Sequence, residues 1–312
     1  MKVGLQVPNF SYQGGKDTFA EDIKEISIQA DKAGFHSLWV MDHFFQIGSE
    51  TSNLLGPAED DMYEGYSVLN YLAGFTKNIM LGTMVTGNIY RHPGMLVKAV
   101  TTLDVLSKGR AYLGIGAGWF ERESIGLGIP FYDWTTRFEM LEEALQIIRL
   151  MWSEKNGEEF KGKHYHLIET ICHPQPIQKY PPILIGGMGP KKTLRFVANY
   201  ADACNLFIGY GTERFENAIK VLKKHCENLG RPFEEIEKTS LGSVFLDQPN
   251  ISERRDDTGD KNLKTVDDII ENLKWQAKLG IDHAIFNMRQ PLASQEPLQI
   301  FKDEIIPVAL EL

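Results

Sequence analysis

The sequence predicts an α/β fold in which short apolar strands alternate with amphipathic helices along the chain. Three observations carry this prediction: the strand segments are short and mostly apolar, a helical repeat follows each of them, and the cycle recurs eight times. Buried strands that are joined by helices form parallel sheets. Because no segment reads as a linker, we expect one domain, residues 1–312, folded as a single (β/α)8 TIM barrel with insertions.

Each predicted element has its own local signal. The predicted strands are 2–7, the start of 36–45, 79–85, 110–115, 183–185, 201–207, 236–245 and 282–286. The predicted helices are 16–33, 64–75, 95–106, 136–152, a segment ending at 199, 213–229, 266–279 and 297–310. Gly34 and Gly230 close two of these helices, and Thr265 suits the N-cap of a third.

Three stretches interrupt the alternation. Turn residues among alternating side chains at 161–167 predict a small hairpin inserted before the fifth strand. The polar stretch 46–61 is longer than a connection needs, so it is either a lid over a site or an ordinary surface loop. The polar stretch 246–263 is expected to be an insertion or a mobile loop.

Charge and composition narrow the class of protein. The net charge of −9, with no segment rich in Lys or Arg, argues against a nucleic-acid groove or an anionic membrane surface as partner. The first residues lack the apolar core of a signal peptide, and no apolar run is long enough to span a membrane, so we expect a cytoplasmic protein. The three cysteines are expected to be reduced and packed, and neither they nor the histidines have metal-ligand spacing.

The strongest candidate for chemistry is the pair Asp42-His43, which directly follows the second predicted strand. Side chains at the carboxyl ends of barrel strands point into the mouth where ligands bind, so this pair lies where a catalytic pair would lie. The alternative is a strand end with two solvated polar groups. No nucleophile elbow or P-loop is present, which removes the commonest hydrolase and phosphotransferase interpretations.

Two glycine-bearing turns are also candidates. The turn at 114–118 matches a dinucleotide fingerprint only weakly, because it lacks the full spacing and follows the fourth strand. The turn at 186–189 lies between a strand and a helix, so its N–H groups and the helix N-terminus are suited to an anion such as phosphate. Lys191 and Lys192 would add positive charge; the alternative is a tight turn that needs positive φ.

Five phrases, in order and spanning most of the chain, resemble one superfamily. They are WVMDHFF at 39–45, LGTMVTG at 81–87, LDVLSKGR at 103–110 leading into GIGAG at 114–118, the Arg-Phe and Glu-Ala-Leu positions within 137–145, and PILIGG at 182–187. The chain resembles the bacterial luciferase-like superfamily of flavin and deazaflavin oxidoreductases, particularly the branch that uses coenzyme F420. The resemblance implies a TIM barrel whose cofactor lies across the mouth, near the ends of the second, third and fourth strands.

The resemblance also implies roles for individual residues. Asp42 would hydrogen-bond the polar edge of the cofactor ring, and His43 would face the substrate as an acid–base or electrostatic partner. A non-proline cis peptide bond is implied at Met84–Val85, in a bulge that backs the ring. The remaining residues implied to hold the cofactor are Ala117, Gly118, Arg122, Gly187, Met188 and Gly189, of which the last three would hold the phosphate end.

One position departs from the family pattern. Where the sugar-phosphate dehydrogenases of the family have a glutamate after the turn of strand four, this chain has Trp119. With Phe120, Phe44 and Phe45 it would form an aromatic wall suited to a hydrophobic or planar substrate, although all four residues are equally compatible with packing. The prediction is a homodimeric enzyme that moves a hydride between coenzyme F420 and a small organic substrate of hydrophobic or planar character.

Two other functions are compatible with the same resemblance. The first is an FMN-dependent luciferase-like monooxygenase, which would use oxygen chemistry in the same barrel. The second is a barrel that binds a flavin-like ligand without catalysis. A deazaflavin favours two-electron hydride transfer over oxygen chemistry, so the identity of the cofactor separates the first alternative from the leading prediction.

Overall fold

In the computed structural model, which describes residues 1–47, 56–246, 263–288 and 296–312, a parallel sheet curls until its ends meet. Its strands and those of a hairpin are, in chain order, β1 (Lys2–Val7), β2 (Ser37–Val40), β3 (Met80–Thr83), β4 (Thr86–Gly87), β5 (Leu113–Gly116), β6 (Phe160–Lys161), β7 (His166–Leu167), β8 (Ile183–Gly186), β9 (Ala203–Phe207), β10 (Glu237–Val244) and β11 (His283–Met288). Hydrogen-bonded neighbours follow the order β3, β2, β1, β11, β10, β9, β8, β5, β4. The antiparallel pair β6 and β7 confirms the predicted hairpin.

The barrel closes between β3 and β5. Leu81 donates its N–H to the carbonyl of Arg110 at 2.7 Å and accepts from the N–H of Tyr112 at 2.8 Å. β3 and β4 are two parts of one barrel strand that is interrupted at residues 84–85, so the nine-stranded sheet fills eight barrel positions. The predicted TIM barrel is confirmed.

The helices are α1 (Phe19–Ala33), α2 (Gly65–Ala73), α3 (Pro93–Leu106), α4 (Glu121–Gly126), α5 (Trp134–Met151), α6 (Thr193–Tyr200), α7 (Thr212–Leu229), α8 (Val266–Lys278), α9 (Glu296–Ile300) and α10 (Ile306–Leu310). A π-helical turn, Phe301–Ile305, joins α9 to α10, where the sequence predicted one helix. The short helix α4 was not predicted. Gly34 and Gly230 take left-handed conformations after α1 and α7, and Thr265 forms a capping box with Asp268 on α8, as expected.

The inside of the barrel is filled by a few large side chains and several glycines. Trp39 on β2 is fully buried beside Tyr112, with ring centroids 5.2 Å apart. A Cβ on Gly82 would lie 2.6 Å from Trp39 Cζ3, so the indole fits only because β3 has glycine there. The outward side chains of the strands pack against the helices in the main hydrophobic core.

The predicted loops 46–61 and 246–263 lie largely outside the described residues. The three cysteines are buried free thiols, as expected. Among the described helices, none combines the length and the apolar character that a membrane crossing requires.

Candidate active site

The mouth of the barrel contains a buried pair of acid–base groups that comes from two different strand ends. His43 lies three residues after the end of β2, and Glu123 lies on α4, which follows β5. His43 Nδ1 is 2.6 Å from Glu123 Oε1, and the exposed fractions of the two side chains are 9% and 0%. The sequence predicted His43 at the mouth, but it did not predict its carboxylate partner.

Four donors surround the carboxylate of Glu123. Besides His43, the hydroxyl of Tyr90 donates to Oε1, and the N–H groups of Phe44 and Phe45 donate to Oε2 at 2.7 and 3.2 Å. Burial raises the pKa of Glu123, but the hydrogen bonds from His43, Tyr90 and Phe44 outweigh it and hold the pKa below its ordinary value. Glu123 is therefore an ionised carboxylate at neutral pH that fixes the position of the His43 ring.

Aromatic rings frame the free side of His43. The rings of Trp119 and Phe120 both meet the imidazole edge-on, with centroids 5.7 Å away, and they stack on each other at 5.3 Å. Trp119 is 56% exposed, so the site is open to solvent on the side of this residue. His43 Nε2 makes no hydrogen bond within the described ranges of the chain. Nε2 is therefore available to give or accept one proton next to these aromatic rings.

Asp42 has a different environment from its neighbour. It is fully buried, and both oxygens of its carboxylate accept from the guanidinium of Arg91, while Thr86 donates to Oδ2. Arg91 also pairs with Glu64, the N-cap of α2, and its guanidinium lies 4.9 Å from the centre of the Tyr66 ring. This bidentate pair holds the ends of β2 and β4 together. Both carboxylate oxygens of Asp42 therefore already have hydrogen-bond donors. A direct contact between Asp42 and a cofactor ring stays a prediction.

The wall next to this pair has the bulge that the resemblance implied. The peptide bond Met84–Val85 is cis, which confirms that prediction, although a contact with a ring is untested. The Val85 side chain fills the space that three glycines leave: Cβ atoms on Gly116 and Gly186 would lie 3.1 Å from it, and one on Gly114 3.2 Å. Val85 and these glycines offer no polar side chain beside the cis bond, which suits the face of a planar ring.

The turn after β5 is held in place by a hydrogen bond from Arg137. Gly118 has a positive φ of 73°, which favours glycine, and its carbonyl accepts from the buried guanidinium of Arg137. Arg137 is stacked between Phe131 and Trp134, each centroid 4.1 Å from its Cζ. The register of β4 with β5, in which Gly87 pairs with Gly116, places Ala117 and Gly118 beside residues 88–89, just past the bulge, and their contact with a cofactor stays a prediction.

The turn at 187–189 is only partly available to an anion. Gly187 adopts a φ of 119° and its N–H donates to the Asn205 carbonyl at 3.1 Å, so that group is already used. The N–H groups of Met188 and Gly189 have no such bond to a described residue, and α6 starts four residues later without a side-chain cap. Lys192 Nζ lies 5.2 Å above the Phe138 ring. Two N–H groups and the start of α6 therefore remain to meet a phosphate.

Arg122 is placed differently from the other predicted cofactor residues. Its side chain is 56% exposed on α4 and lies 3.4 Å from Glu59. An exposed pair of this length is weak, so Arg122 is free to meet an anion from solvent. Its role in binding the cofactor stays a prediction.

Three residues of this site were not predicted from the sequence: Glu123, Tyr90 and Arg91. Their signal was present but weak: Tyr90-Arg91 follows the third barrel strand and Glu123 follows the turn of the fourth. Both positions belong to the same barrel mouth as Asp42-His43, so placement at strand ends would have made them candidates. Three acidic residues lie in this stretch, Glu121, Glu123 and Asp133, and the sequence does not show which of their side chains points into the barrel mouth.

A TIM barrel with an imidazole and a buried carboxylate at the carboxyl ends of its strands is the architecture of an enzyme. Residues 1–294 match the luciferase-like monooxygenase family, and the chain belongs to that family, as the resemblance indicated. Relatives in this family include dehydrogenases and reductases, which confirms the prediction of an enzyme.

Individual relatives are more specific. The F420-dependent glucose-6-phosphate dehydrogenase of Amycolatopsis mediterranei is 26% identical over 297 residues, which cover 94% of this chain and 80% of that protein. The phthiodiolone/phenolphthiodiolone dimycocerosates ketoreductase of Mycobacterium tuberculosis is 32% identical over 212 residues, 64% of this chain and 54% of that one. The structure of an F420-dependent secondary alcohol dehydrogenase in complex with an F420-acetone adduct shares the fold, with a TM-score of 0.81 at 20% identity over 99% of both chains.

Proposed function

We propose that this protein is a coenzyme F420-dependent oxidoreductase that acts on an apolar or planar alcohol or carbonyl compound. The observation that carries the proposal is the His43 imidazole, which is bonded to Glu123 through Nδ1, has no hydrogen bond from Nε2 to a described residue, and meets the rings of Trp119 and Phe120 edge-on. The cofactor is supported by relatives whose names specify F420 and that align with most of this chain.

The residues of the mouth fit this cofactor. The apolar surface formed by Val85, Gly116 and Gly186 suits the face of a planar ring. Met84, Ala117 and Gly118 are neighbours of these residues in the chain. The free N–H groups of Met188 and Gly189 suit the phosphate. When bound, the deazaflavin supplies a carbon centre that gives or takes a hydride, and the protein supplies orientation and proton transfer.

Interconverting an alcohol and a carbonyl requires one proton at oxygen for each hydride at carbon. His43 is suited to move that proton, because Glu123 accepts from Nδ1 and so leaves Nε2 directed away from the carboxylate. The ionised carboxylate stabilises the imidazole whenever it is protonated, as a carboxylate does in other His–carboxylate pairs. In this proposal Asp42 is a positioning residue, which anchors Arg91 and the turn that presents His43.

The substrate class follows from the aromatic frame. Trp119 stands where sugar-phosphate dehydrogenases have an acid, and it offers an exposed indole face in place of a charge. Arg91, the nearest guanidinium to Asp42, is already paired with two carboxylates and offers no free charge to a sugar phosphate. An apolar or planar substrate buries its surface against Trp119 and Phe120, while its oxygen meets His43.

A direct assay tests this proposal. The purified protein would be mixed with oxidised or reduced F420 and with apolar secondary alcohols, aromatic ketones or glucose-6-phosphate, while the deazaflavin absorbance is followed. We expect turnover with an apolar alcohol or ketone and none with glucose-6-phosphate. Oxygen-dependent turnover with reduced FMN but not with F420 would instead support a monooxygenase, and stoichiometric F420 binding without any turnover would support a binding protein.

The assembly and location of the enzyme are part of the proposal. The pairing of β1 with β11 joins both ends of the chain in one sheet, which supports a single domain over 1–312. Exposed aliphatic side chains on α3 and on the segment after the hairpin support a homodimer: Met95, Leu106, Ile168, Ile171 and Ile177. We propose a cytoplasmic dimer with a small-molecule substrate and without a nucleic-acid or membrane partner. Light scattering of the purified protein measures the subunit number.

A further inference from the structure

A second cluster of ligand-type side chains lies at the opposite end of the barrel, where the strands begin. His36 precedes β2, Glu237 opens β10 and His283 opens β11. Each offers one ligand atom, and these three atoms all lie within 4.8 Å of one another. The sequence analysis predicted no metal site because the three residues are far apart in sequence. We propose that His36, Glu237 and His283 form a binding site for a divalent transition metal ion, with Zn²⁺ the best match.

The His283 ring is the strongest indication. It is fully buried, and its Nε2 lies 2.9 Å from the Ser37 hydroxyl, which also accepts from Trp39 Nε1. Its Nδ1 is buried and has no hydrogen-bond partner among the described residues, since Glu237 Oε1 is 3.5 Å away. An imidazole that is oriented through one nitrogen and has the other free is the usual arrangement of a metal-bound histidine.

The donor set fits the same class of ion. Two imidazole nitrogens and one carboxylate oxygen, with room for water, are the ligands of many zinc sites. Glu237 is held in place by the Tyr112 hydroxyl, which donates to Oε2 at 2.8 Å, and its Oε1 lies 3.5 Å from His283 Nδ1. His36 and Glu237 are only partly buried, so the site is open to solvent.

Lys2 is the competitor for this site. Its Nζ lies 2.8 Å from Glu237 Oε1 and balances the carboxylate charge. The Lys2 side chain is 46% exposed at the start of β1, so it can turn into solvent and leave Oε1 to a metal ion. Because the metal ion would replace the ammonium group of Lys2 at Glu237, removal of the Lys2 side chain should strengthen metal binding. This result is not expected if Lys2 and Glu237 form only a structural ion pair.

Metal binding here would stabilise the barrel without taking part in the reaction. The three ligands join the starts of β2, β10 and β11, and the site lies at the end of the barrel away from His43. A ligand that binds only the folded chain raises its stability, so Zn²⁺ should raise the unfolding temperature. The inference is independent of the cofactor and of the substrate.

The test uses the full chain after treatment with a chelator, titrated with Zn²⁺ at neutral pH. Bound metal would be measured by equilibrium dialysis and stability by thermal unfolding, for wild type, His36→Gln, Lys2→Met and a control. The control is His166→Gln, since His166 forms an exposed pair with Glu159 at 2.6 Å and reports adventitious binding by surface His and Glu. His36 is only partly buried, so its replacement should leave the fold intact.

We expect one Zn²⁺ per chain, a raised unfolding temperature, and at least about tenfold weaker binding in His36→Gln. Lys2→Met should bind more tightly than wild type, and His166→Gln should bind as wild type does. The proposal is overturned if wild type binds no stoichiometric Zn²⁺, if His36→Gln binds as tightly as wild type, or if Lys2→Met binds less tightly.

Discussion

The two ends of the barrel each place a glutamate beside a histidine and a tyrosine, but the groups are arranged differently. At the mouth, His43 Nδ1 is 2.6 Å from Glu123 and Tyr90 donates to the same carboxylate. At the base, His283 Nδ1 is 3.5 Å from Glu237, whose charge Lys2 already balances. The carboxylate at the mouth is therefore directed at an imidazole, whereas the one at the base is paired with an ammonium group.

This difference indicates what each end can do. The other donors to Glu123 are the N–H groups of Phe44 and Phe45, and no ammonium group in the described part of the chain is bonded to it. Its negative charge therefore remains to stabilise a protonated His43. Glu237 has the ammonium group of Lys2 beside it, and burial lowers the pKa of both neighbouring histidines, which disfavours a protonated imidazole at this end. The following predictions test this division, from the largest expected effect to the smallest.

The largest effect is expected at His43. His43→Ala should lower kcat by about 100-fold or more, because proton transfer by a positioned side chain contributes that much, while the Kd for F420 stays nearly unchanged. Steady-state kinetics and a cofactor titration measure the two quantities. His36→Gln, at the other end, is the matched control and should retain full kcat. Unchanged turnover in His43→Ala would remove its catalytic role.

Glu123→Gln tests the carboxylate without changing its shape. We expect kcat to fall by about tenfold or more, since Gln cannot stabilise a protonated imidazole, although it can still accept a hydrogen bond. The pH profile of kcat should change as well, which a purely structural role would not cause. Glu123→Ala would serve to separate charge from packing. If Glu123→Gln kept the wild-type rate and pH profile, the pair would be a packing contact only.

The lysines after the turn test the phosphate end and the choice of cofactor. F420 carries an acidic tail beyond its phosphate and FMN does not, so replacing Lys191 and Lys192 by Ala should weaken F420 binding more than FMN binding. The effect should be a few-fold and should shrink with added salt, because exposed charges contribute only about 1 kcal/mol or less each. Replacing Lys274 and Lys278, exposed on α8, is the control. Tight FMN binding with no F420 binding would reverse the assignment.

Trp119 tests the aromatic frame. Trp119→Ala should raise KM for an apolar substrate several-fold and change kcat less, because it removes apolar contact area and leaves His43 and Glu123 in place. Tyr132→Ala, another exposed aromatic change, gives the comparison. Should KM stay the same for every apolar substrate that turns over, Trp119 would not line the substrate site.

The smallest effect is on stability, and it distinguishes the two ends by pH. His36 and His283 have lowered pKa values when folded, so metal-free protein should lose stability as pH falls from about 6.5 towards 4, where the unfolded chain takes up protons first. The folded pKa of Glu123 is also lowered, so the stability that it contributes is present at higher pH and is lost only as pH falls below its ordinary pKa of about 4.3. Thermal unfolding of wild type and His36→Gln across this range measures the first window. Equal pH dependence in both would contradict the assignment to His36.

The sequence by itself determined the alternation of strands and helices, most of their bounds and the position of Asp42-His43 at a strand end. It did so because burial sets the apolar period of each element, and because Gly34, Gly230 and Thr265 act locally on the helices beside them. The cis bond at 84–85 was also anticipated, through the family resemblance.

Only the tertiary structure decided which groups meet. Glu123 is 80 residues from His43, and Glu237 is 46 residues before His283, so no local pattern marks either pair. Closure of the barrel brings strand ends that are distant in sequence to one rim, at the mouth and at the base alike. Hydrogen-bond partners such as Arg91 for Asp42 are set by that closure, because a side-chain contact depends on the position of both backbones and local sequence determines only one of them.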